Sequence, residues 1–218
     1  MEKTQLLIQS LVKDLPHKSQ SANWAGRFWK NWFLGFFMTG GLAIIASLFL
    51  PNDLNLPENV FSWSFLSQLG FWFCLSLASA FLTYLSSLPN EKTKSYKNFV
   101  ATIFAVFLGF IIFQSNVSSF ETEFFHELNW RQGPCGAFIF VLSAAWTWVL
   151  YSTIKKAAPT NLIQTGMALS LSTASATSMF IHLFCRHETS SHTLLWHLLP
   201  LMLIVGIASK ISSRFLRW

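Results

Sequence analysis

Charge is what this sequence has least of. Only 11% of the 218 residues are charged, and Asp and Glu together number 9. A soluble domain carries about 25% charged residues. So few charges cannot cover a water-facing surface, and 52% hydrophobic residues with a mean hydropathy of +0.44 exclude a soluble globule. Cysteine is also scarce. Three scattered cysteines exclude a disulfide scaffold, and with no Cys-x-x-Cys pair a dithiol oxidoreductase has no motif to stand on. The apolar segments do not alternate in the ten-residue pattern of a membrane barrel. Disorder is excluded by 23 Phe and 10 Trp.

What is present is six apolar runs, at 32–50, 65–88, 99–117, 136–154, 162–184 and 194–212. About 20 apolar residues suffice to cross a bilayer as a helix. The third run is the weakest, its strictly apolar part ending near Phe113. Polar breaks with Pro or Asn separate the runs. A signal peptide does not account for the first run, which is too long and too far from residue 1. The expected fold is therefore all-α: a polytopic membrane bundle of six transmembrane helices. Residues 1–30 are expected to form a cytoplasmic segment and 31–218 the transmembrane domain.

Lys and Arg set the orientation. With the N-terminus inside, the inner segments hold Lys3, Lys13, Lys18, Arg27, Lys30, Lys92, Lys94, Lys97, Lys155, Lys156, Lys210, Arg214 and Arg217. The outer loops hold only Arg131 and Arg186. Both termini are then cytoplasmic, and the net charge of +6 is a topological signal. Lysines beside a membrane meet anionic lipid, so direct nucleic-acid binding is not expected.

The runs carry no Asp or Glu at mid-depth, where ion-coupled transporters keep their charges. Pro200 is placed to kink the last run. The fifth run is rich in small residues, and Ser170, Ala174 and Ser178 recur every four residues, a face that lets helices approach closely. A polar channel lining is the alternative for that face, and a small six-helix transporter or channel is the alternative function.

The cysteines divide into two kinds. Cys74 falls deep in the second run and is expected to be a small buried apolar group. Cys135 opens the fourth run and Cys185 closes the fifth, so opposite helix directions put both thiols at one depth on the outer face. In bacteria that face is oxidising. His126, His187 and His192 lie in the nearby outer loops, and His182 and His197 near the outer ends of runs. Three readings stay open for the pair. It is a structural disulfide, two unrelated thiols, or a sensing site in which Cys135, Cys185, His187 and His192 hold a soft metal ion.

Before the first run, Leu7, Leu11 and Leu15 are spaced four apart with Ile8 and Val12 beside them. This predicts a short amphipathic helix stopped before Pro16, followed by a polar linker over 16–23. Alone in water it is marginal and needs a surface: the inner leaflet, the bundle, or a partner's groove.

The segment 135–218 resembles the NrsF family of six-helix membrane anti-sigma factors. The likeness rests on Cys135, Pro159, Cys185, Trp196 and the terminal Leu216-Arg217-Trp218, with Thr4, Leu7-Ile8 and Leu11 at the opening. The sequence departs from the family where Arg186 stands for a usual Pro and His197 for a usual Tyr. The resemblance implies a protein of the bacterial inner membrane that holds an extracytoplasmic-function sigma factor at the inner face. A periplasmic thiol or metal signal at Cys135 and Cys185 would release it. It implies no enzymatic activity and no cofactor. It also turns the N-terminal helix into a partner-binding element, with Leu7, Ile8, Leu11, Val12 and Leu15 as anchors.

Overall fold

The computed structural model describes residues 19–49, 62–88, 94–114, 134–157, 159, 161–185 and 190–216. All elements among them are helical: α1 Ser19–Phe49, α2 Trp63–Ser86, α3 Lys94–Gln114, α4 Pro134–Ile154 with a 3-10 turn Lys155–Ala157, and α5 Leu162–Phe184. The sixth, α6, is composite. It opens on an α-turn Ser190–His192, passes through a π-helical stretch Thr193–Leu198, and continues as an α-helical body Leu199–Phe215. Five of these helices, all but α1, are long and apolar enough to cross a membrane.

Local chemistry marks the helix starts. The Ser62 hydroxyl accepts the Phe65 N–H at 3.2 Å and caps α2, and the Asn161 side chain accepts the Gln164 N–H at 3.1 Å and caps α5. Pro134 opens α4, where its missing N–H is not needed.

Helix α5 is the hub, packed against α1, α2, α4 and α6. Of its most apolar 18-residue stretch 72% is buried, against 17% for the peripheral α3. This explains its composition. A helix with neighbours on every side must be slim on every side, so the small residues are not confined to the Ser170–Ala174–Ser178 face. Ser172, Thr173, Ser175, Ala176 and Thr177 are fully buried too. The hydroxyls of Ser172 and Thr173 tie helices together. Ser76 and Ser172 each donate to the other's carbonyl at 2.9 Å, and Trp32 Nε1 donates to Ser172 Oγ at 2.9 Å. The Thr147 and Thr173 hydroxyls meet at 2.6 Å. Gly166 lets α5 press on α6, since a Cβ there would overlap Ser212.

The outer surface of the bundle is apolar. Phe37 is 70% exposed, and Val141, Trp148 and Ile112 are each at least 60% exposed. A belt of this kind suits lipid tails and would be a liability in water.

Two expectations are corrected. The linker expected over 16–23 is helical from Ser19 onward. The reason is a stripe at spacing four, Trp24, Phe28 and Trp32, all buried in one cluster with residues of α2, α4 and α5. Cys74, expected to be buried, faces out of the bundle. Among the described residues with placed side chains, Arg27, Lys30, Lys97, Lys155, Lys156, Lys210 and Arg214 lie toward one end of the bundle, with the start of α1 and the end of α4. Cys135 and Cys185 lie at the other end.

Candidate functional site

Cys135 is the second residue of α4, and Cys185 caps the C-terminus of α5. The two helices run in opposite directions side by side, so these ends coincide. Cys185 leaves helical geometry, with φ −83° and ψ 123°, and its N–H holds the His182 carbonyl at 3.4 Å. Helix α6 begins at Ser190. The Cys135 thiol donates to Cys185 Sγ at 3.5 Å, and the two are not joined in a disulfide. On the other side of Cys185, its Sγ lies 3.2 Å from His192 Nε2.

His197 completes the group. Ligand-type atoms of Cys135, Cys185, His192 and His197 all lie within 4.8 Å of one another, and all four residues are buried. His192 and His197 are five residues apart. In a regular α-helix that separation turns the side chains about 140° apart. The π-helical stretch Thr193–Leu198 between them changes the register to hydrogen bonds over five residues, with the Leu199 N–H on the Leu194 carbonyl. In that register positions five apart share a face. Pro200 contributes, because it has no N–H to return to the Trp196 carbonyl. The irregularity expected from Pro200 thus takes the form of a π-turn that aims His197 inward.

Gly136 brings α4 onto this turn. A Cβ at Gly136 would stand 3.1 Å from the Trp196 ring, 3.2 Å from Pro200 Cγ and 3.2 Å from the Trp196 carbonyl oxygen. A side chain there would need these neighbours to give by a few tenths of an ångström. Ala43, Ile139 and Ile181 close the site with Phe138, Phe180 and Phe184 around them, a dry apolar wall.

Hydrogen bonding governs the thiol chemistry. The Cys135 thiol donating to Cys185 holds the Cys185 thiol well below its ordinary pKa. Burial opposes the effect and the hydrogen bond with His192 adds to it. The neighbouring His182 lies flat on Phe65, with ring centroids 4.9 Å apart, and edge-on to His197 at 5.7 Å. Both ring nitrogens of His182 and of His197 lack a hydrogen-bond partner among the described residues.

Of the expected site residues, the structure brings Cys135, Cys185 and His192 together. His187 lies outside the described residues, as do Leu7, Ile8, Leu11, Val12 and Leu15. The structure adds His197, which the expected ligand set did not include. The sequence carried one signal for it, the five-residue spacing from His192 just before a proline.

A family model, NrsF, described as Negative regulator of sigma F, matches residues 11–218. No curated protein and no solved structure matches the chain.

Proposed function

The chain belongs to the NrsF family of negative regulators of sigma F, and from that premise we propose that it is a membrane-bound anti-sigma factor. It sequesters an extracytoplasmic-function sigma factor at the inner face of a bacterial inner membrane. A thiol or metal signal at Cys135 and Cys185, on the periplasmic face, releases it. The observation that carries this reading is the 3.5 Å approach of the two sulfurs, which couples the ends of α4 and α5.

Two further observations support it. The lysine and arginine side chains gathered at the far end of the bundle favour that end as cytoplasmic, with six spans and both termini inside. A path also exists from the site to that end. Helix α5 carries any displacement of Cys185 to Ser172, which holds Trp32 of α1 at 2.9 Å. The buried stripe Trp32–Phe28–Trp24 leads back toward the segment with Leu7, Ile8, Leu11, Val12 and Leu15, the anchors for the sigma factor. Packed helices move as stiff elements, and typical couplings of about 1–3 kcal/mol change affinity about 5- to 150-fold. Of the α5 hydroxyls, Ser172 and Thr173 are occupied in bonds to α2 and α4, and Ser170, Ser175 and Thr177 bond back to their own helix.

Co-purification from detergent with a co-expressed sigma factor tests the reading. A stoichiometric complex is expected, and a chain that never retains the factor overturns it. Reporter fusions test the sides: one after Trp218 should work only in its cytoplasmic form, and one within 116–132 only in its periplasmic form.

A further inference from the structure

We propose that Cys135, Cys185, His192 and His197 form a four-coordinate Cys2His2 site for a divalent zinc-group ion. The inference deepens the proposed sensing role of the cysteine pair, but its evidence is geometric and stands apart from sigma-factor binding.

The distances fit an ion better than a disulfide. Zinc binds sulfur at about 2.3 Å and imidazole nitrogen at about 2.0–2.1 Å, in a tetrahedron. Tetrahedral ligands at those distances stand about 3.3–3.8 Å from one another. The two sulfurs lie 3.5 Å apart and Cys185 Sγ and His192 Nε2 3.2 Å apart, and the remaining donor pairs, all within 4.8 Å, need to close by at most about 1 Å. A disulfide needs its sulfurs at about 2.05 Å and has no use for two imidazoles at its side.

A second observation points to a ligand independently. His197 is fully buried, yet neither ring nitrogen has a hydrogen-bond partner among the described residues. Burying an unsatisfied polar group is costly. An ion at the centre of the cluster would satisfy one of these nitrogens. The π-turn that aims His197 at the cysteines is also costly geometry for a helix, and such turns cluster at functional sites.

Charge selects the ion. Binding takes both sulfurs as thiolates and delivers their protons to solvent. Two thiolates and two neutral imidazoles carry a charge of −2, which Zn2+ or Cd2+ cancels. A monovalent Cu+ leaves one net negative charge within an apolar wall, which is expensive. The donor set itself, S2N2, is one of the zinc-type sets. Because the ligands come from α4, from the end of α5 and from the start of α6, an ion would clamp three helices where a disulfide would clamp two.

The test uses the full chain, purified in detergent and reduced, with sigma-factor capture measured in parallel. Titration with Zn2+, Cd2+ or Co2+ should saturate at one ion per chain. The Co2+ form should show the visible bands of a tetrahedral site with thiolate charge transfer, and X-ray absorption of the Zn2+ form two sulfur and two nitrogen neighbours. Cu+ should bind more weakly than Zn2+ in competition with a matched chelator. His197→Phe should lower the affinity more than about 100-fold, since even residues behind the ligands cost 10- to 100-fold when changed. His182→Phe, which alters the neighbouring ring, should keep one tight ion. Wild-type protein that takes up no divalent ion overturns the site. So does undiminished binding in a folded His197→Phe chain, or sulfur-only coordination. Preferred uptake of Cu+ overturns the choice of ion. One tight ion in a chain that never retains a sigma factor supports the site and overturns only the proposed function.

Discussion

The two ends of this bundle are built from different materials. At one end stand Trp24, Phe28, Leu150, Tyr151, Ile154 and Leu216, a broad apolar and aromatic core ringed by lysine and arginine. At the other stand two thiols and three imidazoles, inside a small apolar shell of Ile139, Ile181 and Ala43. The first end meets its needs by area. Burying large side chains gains about 25 cal/mol per Å² and demands no partner. The second end leaves polar needs open, with the nitrogens of His182 and His197 unpartnered among the described residues. An end that leaves polar groups unmet is suited to respond to something it lacks. An end made of packed rings is suited to hold its shape and transmit. Helix α5 joins the two, and its hydroxyl pairs with α1, α2 and α4 keep it in step with them.

Breaking the responsive end should give the largest effect. Cys135→Ser and Cys185→Ser should each abolish the transcriptional response to thiol-reactive or thiophilic-metal stress while insertion and sigma-factor retention persist, and the double mutant should match the singles. A reporter driven by the sigma factor reads this, and normal induction in both singles would remove the cysteines from the signal path. Next comes the far end. Leu7→Asp with Leu11→Asp should switch the regulon on without any stress, because each charge would enter a desolvated groove at a cost of several kcal/mol unless paired. Unchanged retention of the factor by this variant in a pull-down would move the contact elsewhere.

The transmitting middle should give smaller effects. Gly166→Leu places a side chain into Ser212 and should lower thermal stability by about 1–3 kcal/mol, read as an earlier unfolding transition in detergent. Trp32→Phe removes the hydrogen bond to Ser172 and one ring of a fully buried indole. Hydrogen bonds between membrane helices average about 0.6 kcal/mol and the cavity adds to that, so stability should fall by about 1–2 kcal/mol. If the Trp32–Ser172 contact lies on the path, induction should weaken more than stability does. The smallest effect belongs to Cys74→Ala. That thiol faces out of the bundle, away from the cluster, and the variant should respond as wild type does.

Helix content and the order of helices were legible because bilayer-length apolar runs leave little choice of structure. The meeting of Cys135 and Cys185 was legible as well, since consecutive helices joined by a short break run in opposite directions. The start of α1 was not. Polar residues between Ser19 and Asn23 read as a linker, and only the Trp24–Phe28–Trp32 stripe packing on three other helices carries the helix back that far. Cys74 was misjudged because depth along a helix does not reveal which way a residue faces. The breadth of the small-residue surface on α5 was hidden for a similar reason. A repeat of four displays one face, whereas a helix surrounded by four others needs all of them.

The sequence by itself determined the apolar class, the helical elements, the gathering of basic residues at one end and the placing of two thiols at the same depth at the other. These follow from composition, periodicity and chain direction, which are one-dimensional properties. Only the tertiary structure decided that His197 joins Cys135, Cys185 and His192. That outcome depends on a local change of helical register before Pro200 and on the room Gly136 leaves beside it. Both arise from packing between α4 and α6, and spacing along the chain converts into a shared face only once the register is known.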